Sequence, residues 1–229
     1  MQRVLMPEML VALMTVVQPA FADSISVGGR ALNLQPPAGY CQADKSHAER
    51  PIIEGLEKGA GKGSRLLMVF AQCDELKDLR SGKIKYLKRY GQYVAPAGAD
   101  GTVRPQPVGV MRGEFVDTMA TNIQRSTPNA GLQQDAAKKP RQYPELKTGE
   151  IKSLGLLAND GNAAYVGFLQ GFKAVSGDAL KLATVGAITL LDGVVINADL
   201  FEAYTASPDI DGLLAQQKAN ISALIARNK

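Results

Sequence analysis

The chain has 229 residues, is 45% hydrophobic and 21% charged, and carries a formal net charge of +4 at pH 7. Those fractions are those of an ordinary globular protein, and so small a basic excess gives no footprint for nucleic acid. Trp is absent and aromatics make up 6%, which disfavours a surface that stacks bases or sugar rings.

The N-terminus carries an address. Arg3 lies in a short leading segment, Met9 to Val17 is apolar, and Ala20-Phe21-Ala22 puts small residues where a signal peptidase reads. The apolar run is shorter than the roughly 20 residues that cross a bilayer. The pattern predicts a signal peptide over 1–22, cleaved at Ala22-Asp23, and a periplasmic or secreted protein with no transmembrane anchor in the mature chain. No cysteine stands at the cut, which argues against a lipoprotein. Residues 23–229 read as a single α+β domain with a Pro/Gly-rich, loop-dominated elaboration at about 95–149.

Two cysteines occur, Cys41 and Cys73. In an oxidising compartment such a pair forms a disulfide, worth roughly 3–4 kcal/mol by the chain-entropy estimate. A catalytic redox pair would stand closer together, as C-x-x-C.

In chain order, residues 31–34 predict a short strand ended by Pro36-Pro37-Ala38-Gly39. His47 to Lys58 predicts a helix, and the Gly-rich turn 59–64 leads into an apolar strand, Leu66 to Ala71, buried on both faces. Asp74 then caps a short helix whose Leu76 and Leu79 share a face. Lys83 to Val94 is basic and tyrosine-rich, and its secondary structure is ambiguous. A long loop follows, and Phe115, Val116, Met119 and Ile123 fall at helical spacing. Residues 128–149 are polar and hold Lys138, Lys139, Arg141 and Lys147.

The last third is the clearest. Residues 151–158, 163–172, 181–191 and 194–204 predict four strands joined by hairpin signals, Asp192-Gly193 among them. Ser207 and Pro208 predict the cap and first residue of a closing helix. Its stripe of Ile210, Leu213, Leu214, Ile221, Leu224 and Ile225 must cover the sheet. The fold class is therefore α+β: a mainly antiparallel sheet, with a C-terminal four-stranded meander, covered by helices.

Most candidate chemistry yields to a simpler explanation. His47, the chain's one histidine, lies in a polar stretch with no G-x-S-x-G, so no triad is indicated and multi-histidine zinc sites are excluded. Lys62 in the 59–64 turn is followed by Gly63, not by Ser or Thr, and enters a strand, unlike a phosphate loop. Asp209 and Asp211-Gly212 hold too few ligands for calcium. Asn220-Ile221-Ser222 matches a glycosylation sequon within the closing helix. No catalytic residue, cofactor or metal is predicted. The candidate contact surface is Lys83, Lys85, Tyr86, Lys88, Arg89 and Tyr90, cations interleaved with tyrosines that would share a helical face with Tyr93. It would meet an envelope protein or an anionic envelope component.

The order of elements, from Leu32 through Pro36-Pro37-Ala38-Gly39-Tyr40 to the hairpin ending at Gly193 and a final helix, resembles the PsbP-like and DcrB-like exported proteins. It also resembles uncharacterised exported proteins of Gram-negative bacteria. The resemblance spans residues 31–94 and 150–229 and implies an α/β/α sandwich with a binding or assembly-support role; the middle segment departs from it. The reading is a non-catalytic, exported binding or accessory factor. The alternatives are a small-ligand or lipid carrier, with its cavity between sheet and helices, and an envelope hydrolase using carboxylates such as Asp160 or Asp199.

Overall fold

The computed structural model describes residues 24–45, 48–126, 149–173 and 179–229. The signal segment, His47 and the cations at 138–147 lie outside the described residues. A two-stranded ribbon comes first: β1 (Ile25–Val27) turns through Gly28 and Gly29, both at positive φ, into β2 (Arg30–Leu32). Only the second of these strands is predicted from the sequence, because three residues are too few to show a period.

β3 (Tyr40–Gln42) and β4 (Ser64–Gln72) pair antiparallel, with α1 (Arg50–Ala60) between them. Pro51 at the start of α1 is the residue that sets its entry, a position where a missing N–H costs nothing. α2 (Cys73–Arg80) follows β4 directly and buries Leu76 and Leu79. The ambiguous basic segment resolves into a turn region and β5 (Arg89–Pro96). α3 (Arg112–Ser126), β6 (Ile151–Asn159), β7 (Ala164–Lys173), β8 (Ala179–Leu191), β9 (Val194–Tyr204) and α4 (Ile210–Arg227) complete the chain.

The large sheet has seven strands in the order β3-β4-β5-β9-β8-β7-β6, and every neighbouring pair is antiparallel. The C-terminal meander is thus present and forms one side of a wider sheet, which β5 joins by pairing with β9. Asp192 and Gly193, at φ 44° and 78°, make the tight β8–β9 turn that matches strand twist.

Side-chain alternation separates the two faces. Ile196, Ala198 and Leu200 of β9, with Val185 and Tyr93, pack against Ile210, Leu213, Ile221, Leu224 and Ile225 of α4. Leu214 is only partly buried. The α4 N-cap is Asp209, two residues later than Ser207, because the Asp209 carboxylate accepts from Gly212 N at 2.9 Å. Asn220 is buried. Its Nδ2 donates to Gln217 Oε1 (3.1 Å), and Gln217 Nε2 in turn donates to Ala198 O. The Tyr93 hydroxyl stands 2.7 Å from Asn220 Oδ1 and 2.9 Å from Gln35 O, so it donates to one of the two at a time. The sequon at Asn220 therefore belongs to the core.

On the opposite face, α1 and α2 cover Val69 and Ala71 of β4. α3 covers the far end of that same face, with Val116 and Ala120 against Ala164 and Leu156. The floor of the site lies between these two groups of helices.

Cys41 and Cys73 are joined, with Cα atoms 4.9 Å apart, tying β3 to the start of α2. Nearby, Glu49 is 1% exposed. Its Oε2 accepts from Asp44 N (2.6 Å) and its Oε1 from Arg80 Nε at the end of α2. Among the described residues no helix is long and apolar enough to cross a membrane.

Candidate functional site

A strand with one face on α4 and the other partly uncovered should alternate apolar with polar side chains, and β9 does. Asn197 and Asp199 point away from α4, and Gln92 and Val94 of β5 stand beside them in register. β8 contributes Gly186 and Ile188, β7 contributes Val166 and Phe168, and Ala60 and Ser64 form the rim. Together these residues line a trough of about 310 Å³. That volume is at the lower end of ligand pockets, and an apolar lining with a few placed polar groups is their usual composition.

Among the described residues, Asp199 is the only ionisable one in that lining. Gln92 Nε2 donates to its Oδ2 at 3.0 Å. Burial pushes the Asp199 carboxyl up from its ordinary range, and the Gln92 hydrogen bond offsets part of the rise. Gln92 Oε1 is buried and has no hydrogen-bond partner among the described residues. Tyr90 lies on the same face, stacked on Phe201 with ring centroids 4.7 Å apart. Burial first, and the Asp199 charge second, hold its hydroxyl protonated well above the ordinary tyrosine value.

Gly186 explains how a carboxylate fits here. It pairs with Asp199 across the β8–β9 ladder, and a Cβ on residue 186 would stand 2.9 Å from Asp199 Oδ1 and 3.2 Å from Val166. A glycine inside an otherwise apolar strand is the sequence signal for such close approach.

The predicted contact surface is arranged differently from a helical face. Tyr86 sits in the turn region, while Tyr90 and Tyr93 occupy β5 on opposite faces of the sheet. Lys83 Nζ lies 3.2 Å from Asp78 Oδ1, and Arg89 Nε lies 3.5 Å from Glu75 Oε1. The backbone N–H groups of Lys88 and Arg89 also donate to Glu75 Oε2, at 2.7 and 3.1 Å. Among the described residues, the Lys85 and Lys88 side chains are exposed and form no ion pair. Two of the four cations are therefore offset locally.

Tyr86 and Lys88 border a second depression of about 470 Å³, shared with Glu202, Tyr204 and Asp209. Burial raises the Glu202 carboxyl, Arg89 lowers it, and Asp209 and Glu75 raise it further. Among the described residues its lining carries two carboxylates, Glu202 and Asp209, and one cation, Lys88.

The carboxylates weighed for hydrolysis do not converge. Asp160 accepts from Asn162 N, Ala163 N and the Tyr165 hydroxyl, and Tyr165 lies on the α4 side beneath Lys218. Asp199 faces the other side of the sheet. The described residues hold no group of three or more His, Cys, Asp or Glu placed to bind a metal ion.

Fold and site together define an α+β protein with a seven-stranded antiparallel sheet, helices on both faces, and a solvent-open trough on one of them. No family model matches the chain, and neither a curated protein nor a solved structure matches it.

Proposed function

We propose that this chain is an exported, non-catalytic binding protein that holds a small ligand in the sheet trough. One observation carries the reading: an apolar floor of Val94, Val166, Phe168 and Ile188 surrounds the hydrogen-bonded pair Gln92 and Asp199. Apolar surface supplies affinity roughly in proportion to area, and one placed polar pair orients the ligand. The separation of Asp160 from Asp199 supports binding over hydrolysis. Export is read from residues 1–22, and the Cys41–Cys73 bond is compatible with an oxidising compartment. The resemblance to PsbP-like proteins in the order of elements implies the same non-catalytic role. Lys85 and Lys88 are where an anionic envelope partner would attach.

Titration of the folded protein with a neutral fluorescent probe, N-phenylnaphthylamine, tests this. Saturable one-to-one binding, with NMR shifts confined to β5, β7, β8 and β9 on the trough face, is the expected result. Loss of that binding in Ile188→Glu should accompany it. Binding that maps to the Tyr86–Glu202 depression, or no saturable binding, overturns the assignment.

A further inference from the structure

The chemistry of the trough narrows its ligand, given the binding reading above. Two of its acceptors stand without a donor among the described residues. The Asp199 carboxylate has two oxygens and receives one hydrogen bond, from Gln92 Nε2 to Oδ2. Gln92 Oε1 is buried without a donor, although an amide oxygen in such a place ordinarily has one. Turning the amide over does not help, because its N–H group would then leave Asp199.

Among the described residues, nothing in the lining supplies the missing positive charge: it includes no Lys, Arg or His, and the remaining polar side chains are Ser64 and Asn197. Tyr90, whose hydroxyl feels the Asp199 charge, is uncharged. A partly buried carboxylate without a cation is costly, and the structure makes room for it all the same: Gly186 omits the side chain that would occupy the space beside Oδ1. A built space, an unpaired carboxylate oxygen and an orphaned amide oxygen together call for a ligand that brings N–H donors and positive charge.

We propose that the trough binds a small organic ammonium ion, its N–H donors satisfying Asp199 Oδ1 and, on a shift of the Gln92 side chain that uncovers it, Gln92 Oε1, with its apolar body lying on Phe168, Val166 and Ile188. An ammonium carries three donors and no acceptor, the complement of this pair. A carboxylate-bearing ligand of the same shape would face two acceptors and a negative charge.

The test compares three ligands with one apolar body: phenethylammonium, 2-phenylethanol and phenylacetate. Each is titrated by calorimetry into the disulfide-bonded protein, at low salt and about pH 8, where the ligand amine is still mostly charged. The expected order is ammonium at least about tenfold tighter than the alcohol, with no detectable binding of phenylacetate. Asp199→Asn should bring the ammonium down to about the affinity of the alcohol. Gln92→Leu should weaken the ammonium by a smaller factor, and it serves as a second variant should Asp199→Asn not fold. Equal binding of ammonium and alcohol, unaltered by Asp199→Asn, overturns the cation assignment and leaves the trough as a binding site. Preference for phenylacetate overturns it too. Failure of all three ligands together with the neutral probe overturns the ligand site itself.

Discussion

Gly186 and Asp199 face one another across the β8–β9 ladder, and the space a side chain would fill at residue 186 is occupied by the Asp199 carboxylate. The glycine therefore does chemical as well as conformational work, since no positive φ requires it. Gly186→Ala should push the carboxylate off Gln92 and narrow the trough. Loss of the Asp199–Gln92 contact in a crystal structure, with weaker probe binding and a cooperative melt, is the expected outcome. An undisplaced Asp199 with wild-type probe affinity would show that the trough adapts at no cost.

Asp199 also makes stability depend on pH in a direction opposite to a salt-bridged carboxylate. In the unfolded chain it loses its proton near the ordinary value of about 3.9. Burial in the folded protein holds the proton to higher pH. Between those two points the folded state binds more protons than the unfolded one, so this residue's contribution is full below the unfolded value and falls as pH rises. The groups beside it, Gln92 and the Tyr90 hydroxyl, add no compensating positive charge. Asp199→Asn should gain stability relative to wild type as pH rises from about 4 towards neutrality. Urea midpoints measured across that range check it, and parallel pH curves for the two proteins would count against a raised value.

Strong periodicity made the C-terminal meander, α3 and α4 legible in the sequence. β5 was not, although it is the strand that joins the two halves of the sheet. Arg89 and Tyr90 read as surface, and the alternation that begins there is broken by Gly91. That glycine is there because Phe70 and the Asp199 carbonyl lie over it, a contact made by β4 and β9 and invisible in local sequence. The site was half legible for the same reason. Asp199 stands out as an acid in an apolar strand, but Gln92 is 107 residues away and becomes its partner only through the β5–β9 pairing. Lys83 and Arg89 look unopposed in the sequence because Asp78 and Glu75 reach them from α2, across a turn that sequence spacing does not describe.

The Cys41–Cys73 bond closes a loop with a sequence separation of 32, which holds α1 and β4. By chain entropy it contributes about 3–4 kcal/mol. The double variant Cys41→Ala/Cys73→Ala should lose that amount in denaturant unfolding while keeping the same far-UV dichroism. Alkylation of two thiols in the untreated native protein would refute the bond.

Glu49 and Arg80 predict an asymmetric pair of mutants. Glu49 is buried, whereas the Arg80 side chain is 45% exposed. Among the described residues, removing Arg80 leaves a buried carboxylate supported by Asp44 N alone, while removing the Glu49 charge leaves a guanidinium that water can reach. Arg80→Met should therefore cost more, about 2–3 kcal/mol after discounting for the exposed partner, than Glu49→Gln at about 1–2 kcal/mol. Chemical denaturation ranks them, and the reverse order would mean that Arg80 matters through its stem and not through its charge.

The closing helix separates buried from half-buried leucines along one stripe. Leu224 is fully buried among core residues from the sheet, whereas Leu214 keeps part of its surface in water. Truncating a closed site costs the transfer energy and leaves a cavity; at an open site water and neighbours refill the space. Leu224→Ala should cost about 2–5 kcal/mol, and Leu214→Ala should fall near or below the bottom of that range. Both sit in helix interior, where Leu and Ala have similar propensities, so the difference between them isolates packing. Denaturant midpoints with unchanged m-values give the comparison. Equal losses at the two positions would mean that α4 lies closer to the sheet at its N-terminal half than this packing describes, and a negligible loss at Leu224 would detach the helix from the core altogether.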